Sequence, residues 1–120
     1  MTNGKESIVR EKAFAFAVEI TKLYRILSTE KREFVLSKQI LRSGTSIGAN
    51  IEEADGAISK KEFINKMSIA YKEARETHYW LRLLRATEFI SEDQFNPISL
   101  ECEELCRLLF SIIRTSRLKS

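Results

Sequence analysis

Apolar residues recur every three or four positions along most of the chain, which is the spacing that places them on one face of an α-helix. Charged residues such as Arg10, Glu19 and Lys22 occupy the opposite face of the first such segment. Its apolar seam consists of Val9, Ala13, Phe16, Ile20, Leu23 with Tyr24, and Leu27. A seam of this period predicts an amphipathic helix that packs against others.

The second segment differs because small and polar residues interrupt its apolar stripes. One stripe carries Leu36, Ile40, Ser43, Ile47, Asn50 and Ala54, and its neighbour carries Phe34, Ser37, Leu41, Gly44, Gly48 and Ile51. Two glycines one turn apart let a neighbouring helix approach closely. A polar side chain on a buried seam needs an internal hydrogen-bond partner, which would determine the register of the helices.

We therefore expect one group of residues in this helix to form a packing or oligomer contact: Ser43, Gly44, Ile47, Gly48, Asn50 and Ile51. The sequence leaves open whether this surface meets a helix of its own bundle or the next subunit. A kink over 43–46 is also open, because glycine, threonine and isoleucine lower helix propensity.

Helix boundaries are marked by capping residues. Ser28 and Thr29 interrupt the first seam and predict the N-cap of the second helix, which ends at Gly56. Ser59 to Glu62 and Ser91 to Gln94 have the spacing of capping boxes that open the third and fourth helices. The residues placed to form hydrophobic staples are Ile58 with Phe63, and Ile90 with Phe95.

The third and fourth helices complete the pattern. The third seam contains Phe63, Met67, Ala70, Ala74, Thr77, Leu81 and Leu84, and the fourth contains Ile98, Cys102, Leu105, Leu109, Ile112 and Ser116. Asn96 and Pro97 predict a short separate turn before the main fourth helix. Because short connections join the helices, we predict an all-α fold in one domain over 1–120: an antiparallel up-down-up-down, left-handed four-helix bundle.

Composition agrees with this fold, since 43% of the residues are hydrophobic and 31% are charged, with four glycines and one proline. The formal net charge of +3 permits contact with nucleic acid without requiring it. Charges break the N-terminal segment, and no apolar run has the length of a membrane span. Cys102 and Cys106 lie four apart, a spacing that disfavours a disulfide. We expect a reduced, cytoplasmic protein that does not contact a membrane.

The glycine-rich segment RSGTSIGANIEEADG, residues 42–56, resembles a phosphate-binding loop at first sight. A P-loop needs two glycines five apart, then lysine and a hydroxyl residue, between a strand and a helix. Here Gly44 and Gly48 are four apart, no lysine follows, and no strand precedes them. The segment is therefore interpreted as a helix, and no cofactor is predicted.

Catalytic and metal sites find little support in the sequence. The di-iron bundles need two Glu-x-x-His motifs, whereas the single histidine, His78, follows Arg75 at that spacing. His78 is interpreted as a hydrogen-bonded packing residue. Four glutamates, Glu52, Glu53, Glu73 and Glu76, could hold Mg²⁺ only if two acidic helices faced each other, and a solvated or ion-paired face is the alternative. We predict no catalytic and no metal-binding residues.

Basic residues on the third and fourth helices are the candidates for binding. They are Lys61, Lys66, Lys72, Arg75, Arg82, Arg85, Arg114 and Arg117. Tyr71, Tyr79 and Trp80 lie among them, and such aromatic rings can stack on bases beside phosphate contacts. The alternative is an ordinary salt-bridged surface. Repetition of this surface around an oligomer would strengthen binding through multivalency.

The segments SIVREKAFAFAVEI and FVLSKQILRSGTSIGANIEEADGAISKKEFINKMSIAYKEARETHYWLRLL closely resemble the bacterial four-helix bundle proteins, also called 23S rRNA intervening-sequence proteins. The chain is similar, too, to the accessory variability determinant of diversity-generating retroelements. The resemblance extends from about Ile8 to Ser116. It implies a homopentamer of four-helix protomers without established enzymatic activity. For the retroelement relatives it implies binding of nucleic acid and of a reverse transcriptase.

The leading hypothesis is a non-enzymatic oligomer that binds structured RNA or DNA, or a ribonucleoprotein, through its basic surface, with a nucleic-acid-processing protein as a further partner. A protein–protein adaptor or scaffold without nucleic-acid affinity is the alternative. A magnesium-dependent nucleotide hydrolase is a remote third, and it requires the glutamates of the second and third helices to converge on one metal ion.

Overall fold

Four helices make up the regular structure of residues 4–119, which a computed structural model describes. They are α1 (Gly4–Thr29), α2 (Leu36–Asp55), α3 (Lys60–Ala86) and α4 (Glu92–Leu118). Each helix packs against the next in sequence, and α4 returns to pack against α1, while the backbones of the diagonal pairs lie farther apart. No strand occurs within 4–119. The predicted all-α four-helix bundle is confirmed, and it measures 47 × 21 × 18 Å.

The four predicted seams meet along the bundle axis and form one core. Its largest fully buried side chains include Phe16, Ile20, Leu27, Ile40, Ile47, Met67, Leu81, Leu84, Leu105 and Leu109. Phe63 and Ser116, which the pattern places on the seams, are only half-buried. Both lie close to helix ends, where fewer neighbouring side chains are available to cover them. The burial of apolar surface along these seams supplies the main driving force for folding.

The start of α2 differs from the prediction. Ser28 and Thr29 remain in α1, and their hydroxyls donate to carbonyls four residues back at 2.9 and 2.6 Å. Glu33 caps α2 instead, because its carboxylate accepts the backbone N–H groups of Leu36 at 3.0 Å and Ser37 at 2.7 Å. A serine or threonine in a last helical turn satisfies its hydroxyl locally, so it is not available as a cap for the next helix.

The caps of α3 and α4 lie where the sequence predicts them. Ser59 Oγ accepts the Glu62 N–H at 3.1 Å. At α4 both halves of the capping box form, since Ser91 Oγ accepts the Gln94 N–H at 3.1 Å and Gln94 Oε1 accepts the Ser91 N–H at 2.8 Å. These bonds satisfy N–H groups that have no partner inside the helix.

Two details of these connections were predicted wrongly. Ile58 is 93% exposed, so it forms no staple with Phe63; the short connection over 56–59 leaves it beyond any covering side chain. By contrast, Ile90 is buried. Pro97 lies inside α4 and does not separate a turn from it. The ring of proline suits helical φ, so the helix continues through Pro97 and forgoes one backbone hydrogen bond.

Candidate nucleic-acid interface

The small residues of α2 allow α1 to approach closely. Ser43, Gly44, Ile47 and Ile51 are all buried. A Cβ atom on Gly44 would lie 2.8 Å from Ile20 Cγ2 and 2.9 Å from Ile20 Cγ1, which is too close for carbon atoms. A Cβ atom on Gly48 would lie 3.6 Å from its nearest neighbour, an ordinary contact with the Ala13 carbonyl. Gly44 therefore packs within the bundle, and α2 runs unbroken through 43–46.

The two polar residues of this segment behave differently. Ser43 is buried and its hydroxyl lies 2.9 Å from that of Thr77 in α3. Asn50 is half-buried, and its Nδ2 donates to the Ser46 carbonyl of its own helix at 2.8 Å. Asn50 lies about 80° around the helix from the middle of the buried stripe, which keeps its amide out of the core. The expectation that Asn50 helps to set the register was wrong.

The glutamates considered for Mg²⁺ pair with cations instead of converging on one site. Arg42 bridges Glu73 at 3.0 Å and also contacts Glu76, which accepts the indole N–H of Trp80 at 2.9 Å. The other two pairs are Glu52 with Arg10 at 3.0 Å and Glu53 with Lys66 at 2.7 Å. Over residues 4–119, no group of three or more His, Cys, Asp or Glu side chains could hold a metal ion.

The outer side of α3 brings four of the predicted basic residues together. At 100° per residue, Lys61, Lys72, Arg75 and Arg82 fall on one stripe, and all four are exposed. The stripe is about 30 Å long at 1.5 Å per residue. Tyr79, 52% exposed, lies on it as well. We call this stripe, together with the adjoining exposed residues of α4, the basic face.

A groove between α3 and α4 adds residues of α4 to the basic face. One cavity of about 310 Å³ is lined by Ser68, Tyr71, Lys72, Phe110, Ile113, Arg114 and Arg117. A second depression, of about 570 Å³, shares Ser68 and Arg117 and adds Lys61 and Asn65. The groove therefore connects predicted cations of both helices, Lys61 and Lys72 with Arg114 and Arg117, in one continuous opening.

The aromatic residues of the groove are held in place. The ring centroids of Tyr71 and Phe110 lie 6.0 Å apart, and the two ring planes are inclined by 47°. Arg75 Nη1 donates to Tyr71 Oη at 3.0 Å, and its guanidinium carbon lies 5.9 Å from the centre of the Tyr71 ring. The hydrogen bond to Tyr71 raises the pKa of Arg75 above its ordinary value, so this side chain stays charged.

Within residues 4–119, five exposed cations of α3 and α4 have no carboxylate partner. Among the described residues, no Asp or Glu oxygen lies within 4.0 Å of the charged nitrogens of Lys61, Lys72, Arg82, Arg107 or Arg114. On the α1–α2–α3 side, by contrast, Arg10, Arg42 and Lys66 are each paired with glutamate.

Three residues predicted for the basic surface lie elsewhere. Lys66 faces α2 through its pair with Glu53. Arg85 is half-buried and lies about 100° around α3 from the middle of the exposed stripe. Trp80, which was expected to interleave with the cations, is half-buried, and its indole N–H donates to Glu76 of the same helix, which also contacts Arg42 of α2. These positions follow from the helical period, in which a shift of one residue turns a side chain by 100°.

Two residues of the basic face were missed in the sequence. Phe110, 53% exposed, lies in the groove, and Arg107 lies on the exposed side of α4. A signal was present, because Phe110 falls next to the seam residue Leu109 but off the seam, one helical turn before Arg114. An apolar residue that does not follow the period of its helix is a candidate for a surface role.

His78 contacts the first half of α4. Its Nε2 lies 3.2 Å from Ser99 Oγ and 3.2 Å from Glu103 Oε2. The imidazole therefore links α3 to α4 through side-chain hydrogen bonds, which is the packing role predicted for it. Glu103 therefore brings a carboxylate to the middle of α3, beside His78.

The class of protein follows from these observations: the chain is an antiparallel four-helix bundle with one basic face. Within residues 4–119 no helix is long and apolar enough to cross a membrane. The chain belongs to the 23S rRNA-intervening sequence protein family, whose family model matches residues 5–111.

A solved structure supports this assignment. The chain is similar to a protein of unknown function from the S23 ribosomal protein family of Bacteroides thetaiotaomicron, known from a crystal structure at 1.70 Å resolution. The two chains are 55% identical and superpose with a TM-score of 0.90, covering 92% of this chain and 98% of that one. Comparison with curated proteins returned no significant match.

Proposed function

We propose that this protein is a non-enzymatic helical-bundle protein of the cytoplasm that binds structured nucleic acid, or a ribonucleoprotein, through its basic face. The observation that carries the proposal is the set of cations on α3 and α4 without carboxylate partners, beside an open groove. Membership of a family named for an rRNA intervening sequence supports it. The proposed phosphate contacts among these cations are Lys61, Lys72, Arg82 and Arg114. Arg75, which is bonded to Tyr71, and Arg117, which lines the groove, lie beside them and are proposed as further contacts.

Phosphate binding explains this arrangement physically. A lysine or arginine that neutralises a phosphate releases a condensed counterion, and the entropy of that release favours binding. A cation already paired with a carboxylate must first give up that partner, so its contribution is smaller. The unpaired cations of the basic face are therefore better suited to bind phosphates than Arg10, Arg42 or Lys66.

The test is the salt dependence of binding to an RNA stem-loop, measured by fluorescence anisotropy between 50 and 200 mM salt, where phosphate contacts weaken steeply. Lys72→Ala and Arg114→Ala should each lower affinity and reduce the slope of log K against log[salt] by about one. Lys22→Ala is the matched control, because Lys22 lies on α1 and pairs with Glu19 at 3.5 Å. A slope that is flat in the unaltered protein would refute the proposal.

Self-association is a second part of the proposal, and it rests on α1. Phe14 is 72% exposed and Val18, one turn later, is 39% exposed. An open depression beside Phe14 is lined also by Arg10, Glu11 and Glu52. Exposed apolar side chains on adjacent turns are typical of a surface that another chain covers. The homopentamer implied by the resemblance would repeat the basic face in each subunit, and multivalent binding would follow.

Light scattering coupled to gel filtration tests this part independently of nucleic acid. Phe14→Ser and Val18→Ser should reduce the measured mass, whereas Leu100→Ser, an exposed apolar residue of α4, should not. A monomeric mass for the unaltered protein would refute self-association. An intact oligomer that retains no RNA at low salt would favour the adaptor or scaffold hypothesis instead.

A protein partner that processes nucleic acid, such as the reverse transcriptase implied by the likeness to the retroelement determinant, remains a prediction. Copurification from the native cell, with and without nuclease, is its test. A partner retained after nuclease treatment binds the protein directly, whereas one that is lost was held through the nucleic acid.

A further inference from the structure

The groove between α3 and α4 has a feature that phosphate binding alone does not require. Phe110 presents an aromatic ring, 53% exposed, to the cavity of about 310 Å³ that Lys72 and Arg114 also line. An exposed phenylalanine costs free energy in water, because its apolar surface is hydrated. The opposite wall carries the Tyr71 ring, whose hydroxyl is held by Arg75.

From this geometry we propose that the groove binds an unpaired nucleotide, with its base stacked on Phe110 and its flanking phosphates on Lys72 and Arg114. The inference rests on the proposed function and names the form of nucleic acid that the basic face takes. Every nucleobase has a flat π-face, so stacking on an aromatic side chain suits any single-stranded segment. The same chemistry applies to RNA and DNA.

A double helix does not fit this groove in the same way. Its bases are stacked on each other and paired, so none can reach a ring on a protein surface unless it is first extruded. The unpaired bases of a loop or bulge are free to stack on aromatic side chains, which is how proteins usually recognise RNA sequence. Ser68, which lines the cavity, offers a hydroxyl to the edge of a base or to a sugar.

An acidic protein segment is the competing occupant. It would use Lys72 and Arg114, but it would gain nothing specific from Phe110, since carboxylates do not stack. The aromatic wall therefore favours a nucleotide. Substitution of Phe110 distinguishes the two occupants, because it should weaken binding of a nucleotide and not of an acidic segment.

The experiment compares a fluorescein-labelled single-stranded oligonucleotide with a blunt-ended, fully paired duplex of equal length, both at low salt. Phe110→Leu should weaken binding of the single strand by about 5- to 100-fold and leave binding of the duplex within about twofold. Phe110→Trp should restore single-strand binding. The matched control is Leu100→Ala, because Leu100 is an exposed apolar residue of the same helix that does not line the groove. Circular dichroism should be unchanged in all variants.

The outcomes separate the inference from the proposed function. If neither nucleic acid binds at low salt, both fail. If both bind with a steep salt dependence and Phe110→Leu changes neither, the inference fails and the proposed function stands. An equal loss of affinity for the single strand and for the duplex also overturns the inference. Polyglutamate and an unlabelled single strand are compared as competitors for the labelled oligonucleotide. If polyglutamate displaces it equally well, the groove is assigned to acidic protein.

Discussion

Ser43 of α2 and Thr77 of α3 join their hydroxyls across the core at 2.9 Å, and both side chains are fully buried. Thr77 Oγ1 also lies 2.7 Å from the Glu73 carbonyl oxygen. A threonine hydroxyl has one proton, so when Thr77 donates to this carbonyl, Ser43 must supply the proton between the two hydroxyls. The pair is a polar contact that only one register of α2 against α3 permits.

This contact predicts a coupling between the two residues. Ser43→Ala and Thr77→Val should each lower the free energy of unfolding by about 1 kcal/mol. The larger loss is expected for Thr77→Val, because it leaves the buried Ser43 hydroxyl unpaired, whereas Thr77 in Ser43→Ala keeps its bond to the Glu73 carbonyl. The double variant should lose less than the sum of the two, because one shared bond is removed. Urea denaturation measures all four proteins. Ser46→Ala, which removes a hydroxyl bonded within α2 only, is the control for Ser43→Ala.

The two glycines of α2 should respond oppositely to alanine. Gly44→Ala places a methyl 2.8 Å from Ile20 Cγ2, so α1 and α2 must separate, at a cost of about 1–3 kcal/mol. Gly48→Ala meets nothing closer than 3.6 Å and should be neutral or stabilise the helix by up to about 1 kcal/mol. Thermal unfolding measures both. Equal melting temperatures for the two variants would contradict the close approach at Gly44.

The Glu33 cap predicts a pH-dependent stability. Burial alone would raise the pKa of Glu33, but the N–H groups of Leu36, Ser37 and Val35 outweigh it and lower the pKa below its ordinary 4.5. An acid with a lowered folded pKa stabilises the fold fully above pH 4.5, and this contribution is lost as pH falls through the folded value. Glu33→Ala should cost about 1 kcal/mol at pH 7. The difference from the unaltered protein should shrink in unfolding curves taken below pH 4.5.

Glu101 predicts the opposite sign. Burial, and then the negative charge of Glu19, raise the pKa of Glu101 above 4.5. The charged form therefore disfavours folding, and stability falls as pH rises from 4.5 through the folded value. Glu101→Gln should increase the free energy of unfolding at pH 7, by less than about 1 kcal/mol because the site is partly solvated. Below pH 4.5 the gain should disappear, and a gain that persists there would exclude this electrostatic cause.

Much of the fold could be predicted from local pattern. Helix seams such as Val9 to Leu27 follow from a period of 3.6 residues, and the Ser91–Gln94 box needs only neighbours three residues apart. Predictions failed where the same local sequence is compatible with two structures. Ser28 and Thr29 satisfy their hydroxyls inside α1, and Pro97 continues α4, because each choice depends on what the following residues contact.

The basic face shows the same division. Lysine, arginine and aromatic residues on α3 and α4 are visible in the sequence, and four of them fall on one stripe by helical period alone. The sequence does not say that Lys66 is paired with Glu53, or that Trp80 donates to Glu76, which Arg42 of α2 also contacts. It also does not join Phe110 to Tyr71, because that contact depends on how α4 packs against α3.

By itself the sequence determined the four helices, their caps at Ser59 and Ser91, and the small-residue surface of α2, because these depend on spacing within a few turns. Only the tertiary structure decided which cations are paired and which are open, and that Gly44 meets Ile20. The reason is distance along the chain. A contact such as Ser43 with Thr77 joins residues of different helices, and no local period specifies which side chains will face each other once the helices pack.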